Sequence, residues 1–377
     1  MAQPLNILHL HSSFDLGGKE ARAVRLMNAF GDRARHSIVS GVPGALGARE
    51  AIAKGIRYEI VQQPLPLTGR PSVSRYQAIA RFMLRFDLVL SYNWGAIDGV
   101  MARRVFGAGQ PGLVHHEDGF NADEAGGLKR ERNLYRRFAL GAAHRLVVPS
   151  QVLEDIALGT WKQPRARVER ISNGIAVARY AGKPDPRALP FPRREGELVV
   201  GAIAGLRAVK DLPLLVRAVG GVAARVRLVI VGEGPERARI MATAAAMGMA
   251  DRVHLPGFVA NPERYVGLFD VVALSSASEQ FPIAVVEAMA AGKPVVAPAV
   301  GDIALMVAPE NLPVIAYQRD EVTLRDCLQQ LAADPALRAR IGAANQARAR
   351  AEYDEAQMIA RYAALYAAAA GRPGALG

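Results

Sequence analysis

Cys327 is the only cysteine in 377 residues, which excludes an intrachain disulfide framework and every multi-cysteine metal site, and fits a reducing compartment. Aromatic residues are scarce, at 6%. No two aspartates stand two positions apart, so an Asp-x-Asp metal motif is missing and no other metal-ligand cluster stands out. No apolar run approaches the roughly 18 residues of a membrane span. Met1–Pro4 leads straight into the short run Leu5–Leu10, with no basic-then-apolar leader. A cytoplasmic, non-integral protein is expected.

Hydrophobic residues reach 51%, ample for packed cores and against extensive disorder. The length points to two domains. The net charge of +12 is uneven: residues 1–180 hold 25 Lys/Arg against 15 Asp/Glu, and the rest 22 against 20. A basic first half attracts polyanions, acidic lipid headgroups among them. Lys129–Phe138 places five cations in ten residues with Leu134, Tyr135 and Phe138 at helical spacing, which reads as a basic amphipathic helix or as a solvated helix face with a few core anchors. No helix-turn-helix, zinc or aromatic RNA-binding pattern accompanies the charge, so nucleic acid is not an expected partner.

Short apolar runs alternate with helical patterns in both halves, the mark of strand–helix repeats that build parallel sheets. Strands are predicted at residues 5–10, 36–40, 88–92, 112–115 and 145–149, then at 198–204, 227–231, 253–255, 271–274, 294–297 and 314–316. The fold class is α/β, with two doubly wound, Rossmann-like sheets. Four prolines within Ala181–Arg194 resist helix and strand and mark a linker. The predicted organisation is a first domain at 1–180, a linker at 181–196, a second domain at 197–352 and a last helical segment at 353–377. Ligands of open parallel sheets bind beyond the carboxyl ends of the strands, so functional residues are sought there, with the cleft between the domains as the binding site. His9, His36, His144 and His254 stand alone and read as structural.

The richest stretch is Ser278–Val296, with Glu279 and Glu287 eight positions apart. Pro282 suits a helix start, where a missing N–H costs nothing, which puts Glu279 in the preceding loop and Glu287 in the second turn. Among Val285, Val286, Ala288 and Met289, an ionised Glu287 needs a hydrogen-bonding partner, and sugar or ribose hydroxyls would serve. The open N–H groups of the helix start suit a phosphate.

This segment resembles the Glu-x7-Glu signature of the family-4 retaining glycosyltransferases, with its Glu-Ala-Met-Ala-x-Gly-x-Pro-Val tail; Gln280 stands where many members have Gly. The resemblance implies the two-domain GT-B fold and hexosyl transfer from a UDP- or GDP-sugar co-substrate, with no bound cofactor; without an Asp-x-Asp or metal-ligand cluster, leaving-group charge must be met by Lys210, Arg207 and helix starts, so metal-independent transfer is expected. It also implies that Glu279 faces the donor sugar, that Glu287 holds the ribose and that Phe281, Pro282 and Ile283 belong to the donor-binding segment. Gly17 and Gly18 match a Gly-Gly near the diphosphate. Lys210 matches the family Lys that neutralises the diphosphate, whereas Gly205 stands where the family has Arg and the guanidinium is displaced to Arg207. Gly232, in a turn after a strand, and Phe258 and Val259, on the nucleobase side, complete the donor set. The family's sugar-facing His falls on Asp118 when aligned on Gly119 and on His116 when aligned on the strand, and both stay open. The implied acceptor is a glycan or lipid-linked precursor handled at the inner membrane face. A non-catalytic nucleotide- or glycan-binding protein and a sugar-nucleotide epimerase are the alternatives.

Overall fold

The computed structural model describes residues 3–62, 65–67, 69–120, 124 and 127–377. The chain divides into a first unit, Met1–Asn173 with Ala356–Gly377, and a second, Gly174–Glu355.

The first unit is built on seven strands: β1 (Leu5–His11), β2 (Ala34–Ser40), β3 (Tyr58–Ile60), β4 (Leu88–Tyr92), β5 (Gly112–His116), β6 (Arg145–Val148) and β7 (Val168–Arg170). They are ordered β3-β2-β1-β4-β5-β6-β7, and every pairing is parallel. The second unit has β8 (Leu198–Ile203), β9 (Val226–Val231), β10 (Val253–Gly257), β11 (Val271–Ala273), β12 (Val295–Pro298) and β13 (Ile315–Ala316), ordered β10-β9-β8-β11-β12-β13 and again parallel. The strands are rich in Val, Ile and Leu because both faces of a parallel sheet are covered. All six residues of β9 are buried. Two strands had no signal in the sequence, β3 and β7. Both are three-residue edges, Tyr-Glu-Ile and Val-Glu-Arg, whose exposure removes the apolar run that marked the others.

The Pro-rich segment 181–196 is strapped to the second unit. Leu189 is buried in that unit's core, Asp185 pairs with Arg264 at 2.6 Å and Arg193 with Asp270 at 3.0 Å. Prolines exclude regular structure here, and the apolar and charged residues between them anchor the segment. Residues 174–180 also pack in the second unit, with Val177 and Tyr180 in its core. The helix Glu355–Ala369 buries Met358, Tyr362, Leu365 and Tyr366 in the core of the first unit. A Cβ on Gly112 would lie 1.8 Å from the Ala369 carbonyl oxygen, so only glycine lets that helix end rest on β5.

The helix Arg130–Ala139 holds four of the five cations, and one of its anchors to the core is itself a cation. Arg136 is fully buried, hydrogen-bonded to Glu117 at 2.8 Å and Glu124 at 3.3 Å, with Trp94, Trp161 and Phe120 ring centres 5.0, 5.1 and 5.5 Å from its guanidinium carbon. A buried charge persists only with such partners, and stripping one partner from a buried pair costs about 3–5 kcal/mol. Arg136→Ala should therefore lower the unfolding free energy by about that amount, read from denaturant midpoints. A loss below about 1 kcal/mol would show that the cage carries little.

Candidate active site

In the second unit the chain runs from β8 outward through β9 and β10, then returns to β11 on the other side of β8. This reversal is a topological switch point, where open α/β sheets receive ligands. Lys210 follows β8 and Glu279 follows β11. They meet there: Lys210 Nζ lies 2.5 Å from Glu279 Oε1, and Ser276 Oγ donates to the same oxygen at 2.7 Å.

The two loops are bolted together. Ser275 Oγ donates to the carbonyls of Lys210 and Asp211, each at 2.9 Å, and the Ala277 N–H donates to Val209 O at 2.8 Å. Asp211 takes a left-handed conformation at φ 43° that turns the loop into the helix Leu212–Gly220, and Arg319 pairs with its carboxylate at 2.7 Å. Below the motif, a Cβ on Gly301 (φ 57°) would come within 2.3 Å of Glu279 O, and the Asp302 N–H donates to Gln280 O at 3.0 Å. Ser275, Ser276, Gly301 and Asp302 escaped sequence reasoning; the serine pair directly after a β strand was the available signal.

The helix Ile283–Ala290 starts after Pro282, with no side-chain cap on its first N–H groups, so Glu279 lies in the loop before it and Glu287 in its second turn. Glu287 is half-buried and hydrogen-bonded by the Tyr180 phenol, whose pKa is raised mainly by burial and then by the Glu287 charge. Tyr180 was not foreseen, because it lies beyond the first sheet in a stretch without pattern. Phe281 and Pro282 are both buried, Phe281 with its ring edge-on to Tyr353 at 5.6 Å. Apolar packing claims their side chains, leaving the backbone toward Ile283, itself half-buried.

Arg207 is exposed and makes no ion pair among the described residues; its side chain lies over Gly205, where a Cβ would be 3.2 Å from Nε. Gly232 (φ 149°) has room for no side chain, because a Cβ would meet Ala204 O at 2.0 Å, and this contact seats the loop after β9 on the loop after β8. Phe258 is 68% exposed just beyond β10, and the Tyr265 hydroxyl donates to Val259 O at 3.3 Å.

In the first unit the switch point lies between β1 and β4. Gly17 and Gly18 are exposed at the start of the helix Gly18–Phe30, and Gly17 caps it without a side chain. A Cβ on Gly17 would sit 2.9 Å from Glu20 Oε2, while the space beside Gly18 is open. Neither has positive φ, so close approach and not backbone freedom is what glycine supplies. Glu20 is buried beside Lys19, and burial raises its pKa.

His116 and Asp118 differ sharply in burial and partners. His116 is fully buried, its Nδ1 at 3.0 Å from Ser91 O and its Nε2 at 2.7 Å from the Tyr366 hydroxyl. Its ring stacks on Tyr92 at 4.6 Å, and burial holds its pKa well below the usual imidazole value. Both nitrogens are used and the ring is shielded from solvent, so His116 stands in the core of the first unit. Asp118 is half-buried, and Arg22 grips both its oxygens, Nη2 at 2.8 Å from Oδ2. Arg22 also donates to Asn173 at 3.0 Å, and the Asp118 N–H donates to Asn93 Oδ1 at 2.7 Å. Among the described residues no group of three or more His, Cys, Asp or Glu is arranged to hold a metal ion, and no helix is long and apolar enough to cross a membrane.

Residues 16–179 match the family model described as Glycosyltransferase Family 4, and residues 190–348 the model described as Glycosyl transferases group 1. The chain belongs to the family-4 glycosyltransferases. Its GT-B fold is shared by Anabaena HepE, solved with UDP and glucose, at TM-score 0.78 and 22% identity over 97% of this chain and 100% of that one. WaaG, a glycosyltransferase involved in lipopolysaccharide biosynthesis, superposes at TM-score 0.69 and 16% identity over 96% of this chain and 99% of that one. Among curated proteins, the lipopolysaccharide core biosynthesis glycosyltransferase LpsD of Rhizobium meliloti is 24% identical over 96% of this chain and 98% of its own length. The 2-deoxystreptamine N-acetyl-D-glucosaminyltransferase of Streptomyces fradiae is 27% identical over 77% of this chain and 76% of its own.

Proposed function

We propose that this glycosyltransferase moves a hexose from a nucleoside diphosphate donor, UDP- or GDP-linked, to an acceptor hydroxyl with retention of anomeric configuration. The observation that carries this reading is the meeting of Lys210 with Glu279 at the switch point of the second unit. An ammonium has three donors and a carboxylate about four acceptor positions, so the pair retains capacity for phosphate oxygens on one side and sugar hydroxyls on the other. Lys210, with Arg207 as the second cation and the uncapped N–H groups of the helix Ile283–Ala290, stabilises the departing diphosphate. Glu279 orients the hexose, Glu287 with Tyr180 takes the ribose hydroxyls, and Phe258 with the Val259 backbone borders the base. The acceptor oxygen bonds to the anomeric carbon from the side the diphosphate leaves, the carbon–oxygen bond to phosphate breaks, and the acceptor proton passes to the phosphate oxygen so released. That HepE was solved with UDP and glucose supports the donor class.

The test is a panel of nucleotide sugars assayed for acceptor-dependent release of UDP or GDP in excess chelator, with the product anomer read by NMR. Turnover unaffected by chelator and a retained anomer are expected. Loss of activity restored by a divalent ion would refute metal independence, and conversion without acceptor would favour an epimerase.

The acceptor is assigned to a lipid-linked or cell-surface glycan precursor at an anionic membrane surface. On the helix Arg130–Ala139, Leu134 is 69% and Phe138 54% exposed one turn apart on one face, flanked by exposed Arg130 and Arg137, with Arg104 4.9 Å over the Phe138 ring. Apolar anchors among cations suit an anionic bilayer. Flotation with anionic vesicles should carry the protein up at low salt and release it as salt rises; no flotation at any salt would remove this assignment.

A further inference from the structure

At the amino-terminal edge of the first sheet, away from the loops that follow its strands, lies a cavity of 410 Å³ bordered by Asn6, Arg35, Ser37, Arg57, Glu59 and Arg85. Strand register explains the cluster. Asn6 pairs with Arg35 and Ser37 with Glu59, and residues two apart share a face, so these four side chains and that of Arg57 emerge from one side of the sheet. Arg85 closes the cavity from the turn before β4. The cores along β1 and β2 on this face begin at Leu8 and Val39 under the helix Val73–Met83, leaving the preceding row uncovered.

Charge is unbalanced in this cavity. Arg35, Arg57 and Arg85 make no ion pair among the described residues: Arg57 donates to the Asp32 carbonyl, and Arg85 lies 4.9 Å over the Phe82 ring. The one bordering carboxylate, Glu59, accepts from Ser37 Oγ at 2.7 Å. Three guanidiniums against one carboxylate, around a hollow large enough for a small ligand, match the planar, forked donors that recognise phosphoryl oxygens.

We propose that this cavity binds a phosphoryl group, as a phosphomonoester or diphosphate, at a site separate from the one that holds the donor. Glu59 and Asn6 supply an acceptor and an amide for hydroxyls next to that phosphate.

The probe is inorganic pyrophosphate, titrated calorimetrically at constant ionic strength into the full chain carrying Lys210→Ala, which weakens the donor site, and into the same chain with Arg35→Ala and Arg85→Ala added. Saturable binding by the first protein, weakened at least tenfold in the second, is the expected result. Equal binding by both, no binding, or equal displacement by sulfate and perchlorate would each overturn the site. Vesicles containing phosphatidic acid separate the sources: competition with pyrophosphate that needs Arg35 and Arg85 assigns the phosphoryl group to a lipid headgroup, and absence of competition assigns it to a soluble ligand. Transfer activity of Arg35→Ala/Arg85→Ala with Lys210 intact should stay within twofold of the parent, so this proposal and the donor reading fail independently.

Discussion

Lys210→Ala is expected to lower kcat for transfer by about 10²–10³-fold, the cost of removing one preorganised charge from a developing anion, with little change in melting temperature. The two effects separate because of their sizes. As a structural contact the Lys210–Glu279 pair, with Lys210 21% exposed, is worth about 1 kcal/mol or less; as a stabiliser of departing diphosphate, Lys210 is worth about 3–4 kcal/mol of barrier. Glu279→Gln should cost a comparable factor, and the double variant little more than the worse single, since residues acting as a unit are not additive. Strict additivity, or a melting temperature that falls in step with activity, would reduce the pair to a surface ion pair.

Acid should destabilise the first unit steeply. His9, His11, His36 and His116 are buried in one layer with Tyr92: His9 Nε2 is 2.9 Å from His36 Nδ1, and the rings of His11 and His116 stack on Tyr92 at 4.2 and 4.6 Å. Burial lowers all four pKa values, that of His36 to about 4 and the others well below the ordinary value. Above pH 6.5 neither the folded nor the unfolded chain protonates them, and the stability is fully present. As pH falls below 6.5 the unfolded chain binds protons that the folded chain refuses, so stability drops by up to about 1.4 kcal/mol per histidine per pH unit until the folded pKa is reached. Four such groups give a loss on the order of 5 kcal/mol between pH 7.5 and 5.5, comparable to the total of about 5–15 kcal/mol for many proteins. Denaturant midpoints across that range should fall accordingly, with a shallower slope in His36→Gln; a flat profile would contradict it.

The same layer shows where the sequence was legible and where it was not. Glu279, Pro282 and Glu287 could be placed because a proline, a helix start and their spacing are local, and Lys210 because a strand and a helix bracket it. His116 could not be. His115, His116, Glu117 and Asp118 read as a polar run at a strand end, but the partners that settle each one are distant in the chain: Ser91 for His115, Tyr366 for His116, Arg136 for Glu117 and Arg22 for Asp118. A parallel sheet covered on both faces can bury any side chain that finds such a partner. His9 and His36, read as isolated structural residues, are structural but hydrogen-bonded to each other across adjacent strands. The Glu287–Tyr180 bond was hidden for the same reason, its partners standing 107 positions apart.

Hydrogen–deuterium exchange with and without a UDP- or GDP-sugar tests most directly whether the second unit holds the activated sugar. Protection is expected at residues 205–211 and 275–290, and it should be lost in Lys210→Ala. Binding of the nucleotide sugar without protection in either segment would contradict it.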